Sequence, residues 1–208
     1  MEIDSENIRL VATDGHRLAL SDFKNSIQIA AERQIIIPRK GVMEVSRLLL
    51  ANDDLVSISL SQNHVRFETD SFQFTSKLID GKFPDYNRVI PIDINKEVIA
   101  KREQLKQSLS RIAILSNEKY RGIRLTFSEN KLSIQANNPD REEAEEEVEV
   151  KYNGEKLEIG FNVSYLLDVL SVLDSEEVVF KLKDGNSSCI ICAVGDDSSK
   201  FVVMPMRL

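Results

Sequence analysis

A stretch near the start of the chain returns 123 residues later. Asp4-Ser5-Glu6-Asn7-Ile8-Arg9-Leu10 resembles Phe127-Ser128-Glu129-Asn130-Lys131-Leu132-Ser133, with Ser5 and Ser128 as matching points. The likeness continues downstream of that signature. Gln34-Ile35-Ile36-Ile37-Pro38 precedes a helical pattern that ends in Leu48-Leu49-Leu50; Leu157-Glu158-Ile159-Gly160-Phe161 precedes one that ends in Leu170-Ser171-Val172-Leu173. Each helix leads into a strand pair, residues 55–60 with 64–68 and residues 178–182 with 188–193, and then into one more strand, 73–78 or 201–204. A period this long means two related domains and not a solenoid.

Strands, one helix and a further run of strands in each unit read as α+β, with antiparallel sheets and helices on one side. Asp14-Gly15 lies between the apolar runs 9–12 and 17–20 as a favoured tight-turn dipeptide, and Ser61-Gln62-Asn63 and Asp184-Gly185-Asn186 separate other strand pairs. The second unit has an additional helix from Lys101 to about Leu115, with Leu105, Leu109, Ile112 and Ala113 in one stripe. Its counterpart in the first unit falls before residue 1. The chain is therefore expected to begin inside a domain, through an internal start, a cloning boundary or a gene fragment. Gly81, Pro84 and Pro91 mark a connection, which divides the chain into residues 1–83, a linker at 84–95 and a second domain at 96–208.

An apolar fraction of 42% over 208 residues supports a real core. No apolar run is long enough for a transmembrane helix, and the acidic opening Met1-Glu2-Ile3-Asp4-Ser5-Glu6 does not read as a signal peptide, so a cytoplasmic location is expected. Cys189 and Cys192 have no second Cys or His pair to complete a metal site, and in a strand they point to opposite faces. They read as inert, and no metal or cofactor is expected. A net charge of −7 argues against simple electrostatic DNA binding, though not against a protein held on DNA by topology.

Two segments carry the chemistry. The C-terminus, Phe201-Val202-Val203-Met204-Pro205-Met206-Arg207-Leu208, is apolar where most chain ends are polar. Its two thioethers suit a wall that accepts varied side chains, and Pro205 marks a strand end. A final core strand with its end tucked in is the alternative. In Thr13-Asp14-Gly15-His16-Arg17-Leu18, Asp14 and His16 can be read as an acid–base pair, but no nucleophile is fixed nearby and no phosphate-cradling loop exists, so no catalytic residues are assigned.

The Thr13–Leu18 segment, the linker Phe83-Pro84-Asp85-Tyr86-Asn87-Arg88-Val89-Ile90-Pro91, Ile114-Leu115-Ser116-Asn117-Glu118-Lys119 and the Met-Pro-Met-Arg-Leu tail occur in that order, and together they resemble the bacterial DNA polymerase III beta subunit, the sliding clamp. The resemblance covers most of that family's middle domain and all of its last. It implies duplicated clamp domains with sheets outside and helices on the inner face. It also implies a ring-shaped homodimer of the full-length protein around double-stranded DNA. A groove between the middle and last domains would take short peptides from the DNA polymerase III alpha subunit, the clamp loader and repair proteins.

Carried over by motif, that groove comprises Thr13, Gly15, His16, Arg17 and Leu18 from the turn and Pro84 and Val89 from the linker. Val202, Met204, Pro205, Met206, Arg207 and Leu208 come from the tail, with Asn162, Tyr165 and Ser188 as neighbours. Arg39, Lys40 and Arg47 resemble DNA-facing cations, to which Lys101, Arg102, Lys106 and Arg111 can add; a solvated amphipathic face is the other reading of the first three. On the first helix Lys40, Glu44 and Arg47 share one face, and Val42, Val45, Leu48 and Leu49 another. The acidic run from Asp140 to Glu147 reads as a solvated loop and strand face on the outside of a ring. Ile114 and Leu115 resemble a subunit contact that meets a first domain absent from this sequence. The expected function is that of a clamp fragment, a processivity factor; the alternative is a stand-alone peptide-binding adaptor that does not encircle DNA.

Overall fold

The structure, a computed structural model, describes residues 1–24, 32–49, 55–137 and 142–207. Leu50, Asp140, Arg141 and Leu208, which figure in the expectations above, lie outside the described residues. The strands are β1 (Glu2–Ile3), β2 (Asn7–Thr13), β3 (Arg17–Lys24), β4 (Arg33–Gln34), β5 (Ser57–Leu60), β6 (His64–Glu68), β7 (Gln73–Lys77), β8 (Lys96–Lys101), β9 (Gly122–Ser128), β10 (Lys131–Asn137), β11 (Glu143–Lys151), β12 (Leu157–Asn162), β13 (Glu177–Leu182), β14 (Cys189–Ala193) and β15 (Asp196–Val203). The helices are α1 (Arg39–Leu49), α2 (Arg102–Ile114) and α3 (Val163–Val172). None of them is long and apolar enough to cross a membrane. By contact the chain forms two compact units, one of Met1–Leu10 with Phe23–Asp85, the other of Val11–Asp22 with Tyr86–Leu208.

In the first unit β5, β6 and β7 form an antiparallel meander. His64-Val65-Arg66-Phe67-Glu68 alternates outward and inward, which buries Val65 and Phe67. Val45 of α1 joins them, with Ile35, Ile37, Leu49 and Phe74 around the margin. Val42, expected on the apolar face, is instead 50% exposed. The helix meets the sheet along Gly41 and Val45, where a Cβ on Gly41 would lie 2.6 Å from the Ser76 hydroxyl. At 100° per residue that contact line leaves Val42 at the rim. Glycine adds no apolar signal, so sequence periodicity puts the stripe one position too far along.

The second unit contains two antiparallel runs. One is β12-β9-β10-β11 and the other is β8-β13-β14-β15-β3; they are joined where Val150 and Lys151 of β11 pair with Ala100 and Ile99 of β8. Both helices pack on this framework, and the expected α2 stripe of Leu105, Leu109, Ile112 and Ala113 is buried. Phe127, Phe161 and Phe180 are fully buried in the same core, each worth about 1.5–3 kcal/mol of apolar transfer. Cys189 lies in this core as a free thiol, and burial pushes its pKa up; Cys192 is also free, with its Sγ 3.6 Å from the Asp197 carboxylate.

Side chains satisfy both ends of α3 and the C-terminal end of α2. Asn162 caps α3 by accepting from the Ser164 amide at 2.9 Å. At the other end Arg102 donates to the carbonyls of Leu170 (3.1 Å) and Ser175 (2.8 Å), while Arg121 donates to Ala113 at the end of α2 (3.0 Å). Cations belong there, where unpaired carbonyls and the helix dipole are both negative. On β11, Glu143, Glu145, Glu147 and Glu149 alternate outward into solvent.

Candidate functional site

The turn that enters β3 is built by its own side chains. The Thr13 hydroxyl donates to the Arg17 carbonyl (2.8 Å) and accepts from the Gly15 amide (3.1 Å). One oxygen of Asp14 accepts from the amides of His16 and Arg17, both at 3.0 Å. Gly15 sits at φ +88°, a left-handed conformation that disfavours any side chain. The carboxylate of Asp14 is thus occupied by turn amides and by Arg17, while the His16 ring stacks on Tyr165, with centroids 6.4 Å apart and planes 22° apart. The Asp14–His16 acid–base reading finds no geometry here.

Arg17 is the centre of a charged cluster. Its Nε donates to Asp14 at 3.0 Å and its Nη1 to Asp168 at 2.5 Å, and the guanidinium lies 4.5 Å above the Tyr165 ring. Against the burial that pulls it down, hydrogen bonds to Asp168 and Asp14 hold the Arg17 pKa above its ordinary value. Burial also opposes ionisation of Asp14, but the His16 amide and Arg17 outweigh it and keep this carboxyl below the usual carboxylate range. Asp168 was missed in the sequence. Its signal was the three-residue spacing from Tyr165, which places both side chains on one face of α3.

The tail runs beside this turn. Val203 pairs with Arg17 and Val202 with Leu18, and the Met204 amide donates to the His16 carbonyl at 3.0 Å. Past Pro205 the Met206 amide donates to the Gly160 carbonyl of β12 at 2.9 Å. Leu18 and Val202 are buried; Met204, Pro205 and Met206 are half-buried, and Arg207 is exposed. Thr13–Leu18, Val202–Arg207 and Tyr165 thus come together in the second unit. Val89 belongs to the same unit, half-buried at the end of a short turn whose Tyr86 carbonyl accepts its amide (3.1 Å). Asn162 is the α3 cap, Ser188 is half-buried just before β14, and Pro84 is an exposed residue of the first unit.

The cations fall into two groups. Arg39, Lys40 and Lys101 are exposed, and Arg47 is exposed beside Glu44 at 2.7 Å. Arg102 and Arg111 are engaged within the chain. Only 17% of the Arg102 side chain is exposed, and it serves the end of α3; Arg111 makes a two-pronged contact with Glu146 at 2.6 and 2.7 Å. Lys106 is half-buried. Ile114 is 79% exposed at the end of α2, with Leu115 half-buried next to it.

Helices packed on antiparallel sheets in two related units define a clamp-type α+β protein. Residues 1–85 match the family model for the DNA polymerase III beta subunit, central domain, and residues 87–207 the model for its C-terminal domain. The chain belongs to the DNA polymerase III beta subunit family. It is 56% identical to the beta sliding clamp of Pseudomonas aeruginosa over 208 residues, all of this chain and 57% of that protein, and 49% identical to that of Escherichia coli over 207 residues, 56% of that protein. Among solved structures, the P. aeruginosa DNA polymerase III subunit beta superposes with a TM-score of 0.96 over 99% of this chain and 57% of that one, at 56% identity. The same organism's clamp bound to griselimycin gives 0.95 at 56% identity, over 100% of this chain and 56% of that one. The chain therefore spans somewhat more than half the length of the relatives it matches.

Proposed function

We propose that this chain supplies the partner-docking and DNA-facing parts of a beta sliding clamp, a processivity factor of the bacterial cytoplasm that does no chemistry itself. Residues 1–83 act as the middle clamp domain, 84–95 as the linker and 96–208 as the last domain. Two full-length subunits close a ring on double-stranded DNA, with Ile114 and Leu115 at the subunit contact. Arg39, Lys40, Arg47 and Lys101 meet phosphates without reading sequence. The DNA polymerase III alpha subunit, the clamp loader and other clamp-binding proteins dock short peptides in the groove.

The observation that carries the docking role is the pairing of the tail with the turn, Val202 against Leu18 and Met204 against His16. A tail held this way keeps its two methionines close to the turn that carries His16 and Arg17, a mixed wall suited to an apolar peptide with a polar lead residue. Val89, in the same unit, adds apolar surface to the wall. A fluorescent peptide carrying Gln-Leu-Ser-Leu-Phe tests this. Met204→Ala and removal of Arg207-Leu208 are each expected to weaken its binding about tenfold, the loss typical of a groove anchor. Unchanged affinity in both rejects the groove.

A further inference from the structure

We propose that the cavity at the C-terminal end of α3 is a binding site for a small organic cation, an apolar body with a single positive head group. The site is separate from the docking wall. Tyr165 lies in the first turn of α3, and Val172, which ends the helix and lines the cavity, is about 10 Å farther along its axis. The cavity measures about 240 Å³, room for a single-ring ligand. Leu173, Ala193 and Phe201 give it an apolar wall, and Val172 is 69% exposed, so the cavity opens to solvent there.

Two observations set the chemistry of the ligand. The first is an unspent hydroxyl. Ser175 Oγ lines the cavity and is buried without a hydrogen-bond partner among the described residues. A buried hydroxyl left unbonded is costly, and a donor on a ligand would satisfy it. The Ser199 hydroxyl, also in the wall, is already bonded to Ser21 at 2.8 Å. The second is charge. Asp174 and Asp196 line the cavity, and among the described residues no Lys or Arg does. Asp196 accepts from the Ser198 amide at 2.8 Å, which holds its carboxyl below the usual carboxylate range, so it is ionised at neutral pH. Arg102 donates to the Ser175 carbonyl, but its guanidinium is paired with Glu103 at 2.8 Å and is not part of the wall. An anion here meets two carboxylates, a neutral ring gains apolar contact alone, and a cation gains both. An ammonium or amidinium head also brings N–H donors that Ser175 Oγ can accept.

Benzamidine, one ring carrying an amidinium, tests the site, with benzamide as its uncharged counterpart; both are followed by amide chemical shifts of the labelled chain. Benzamidine should give saturable shifts at residues 172–175 and 193–201, in the millimolar range suited to a ligand of this size. It should bind about fivefold more tightly than benzamide. Asp174→Asn and Asp196→Asn should each weaken benzamidine about threefold and leave benzamide as it was. Ser175→Ala should weaken benzamidine by a similar factor. Ala193→Leu, which fills the cavity, should block both ligands. Asp70→Asn, which removes the same charge in the first unit, should change neither. The site is overturned if benzamidine gives no saturable shifts in these segments, or if benzamide binds as tightly. It is equally overturned if Asp70→Asn weakens benzamidine as much as the two cavity variants do, since the ligand would then be following the net charge of the chain.

Discussion

The helices α1 and α3 occupy equivalent places in the duplicated units and have become different devices. In α1 only Gly41 and Val45 are buried, and Arg39, Lys40 and Arg47 point to solvent. In α3 Val163, Leu166, Val169 and Leu170 are buried, no Lys or Arg is present, and the remaining face offers Tyr165 and Asp168 to the turn before β3. Duplication has kept the strand-to-helix frame and the apolar contact that positions each helix. What diverged is the outward chemistry, cationic on one helix and aromatic-acidic on the other. The inward face decides whether the unit folds, and the outward face decides what it touches.

The largest expected effect separates the two cores. Leu166→Ala, at a fully buried site in α3, should cost about 2–5 kcal/mol in chemical denaturation, while Val45→Ala in the smaller cluster of α1 should cost about 1–2 kcal/mol. Equal losses would mean that the helices share the burden evenly, contrary to the burial seen here.

The next effect separates structural from exposed cations. Arg102→Ala removes the donor to the Leu170 and Ser175 carbonyls and should cost about 1–3 kcal/mol. Lys40→Ala should change the melting temperature little, yet lower the salt slope of DNA binding by about 1 when measured on the full-length clamp. A Lys40→Ala variant with an unchanged slope would remove α1 from the DNA-facing surface.

The smallest effect is one of pH. The folded pKa of Asp14 lies below its ordinary value of 3.8. The stability it gives the turn is therefore fully present above about pH 4–5 and is lost as pH falls through the lower folded value. Between pH 5 and 8 the Arg17 Nε–H resonance should stay in place, and it should move only in the acid range. Movement near neutrality would assign the turn to another titrating group.

Sequence made much of this legible where local periodicity and long-range packing agree. The α2 stripe, the β5–β6 strand pair and the Asp14-Gly15 turn are all local patterns, and each took its expected form. Val42 failed because Gly41, which adds nothing to an apolar pattern, is where α1 comes closest to the sheet. Asp168 was overlooked because its partner lies 151 residues away, and its spacing from Tyr165 on α3 says nothing of Arg17. For Arg102 and Arg111 the charge is read from sequence, but the contacts each makes within the chain are not. Their carbonyl and Glu146 partners come from other elements. The adjacency of tail and turn was legible only through family resemblance, since strand pairing across the length of a chain leaves no spacing signal.

The central claim is that tail and turn act as one docking wall, and amide chemical shifts of the labelled chain during titration with Gln-Leu-Ser-Leu-Phe peptide test it most directly. The account predicts perturbations concentrated at Gly15–Leu18, Tyr165 and Met204–Arg207. Perturbations confined to α1 or to the β10–β11 face, with those residues unmoved, would contradict it.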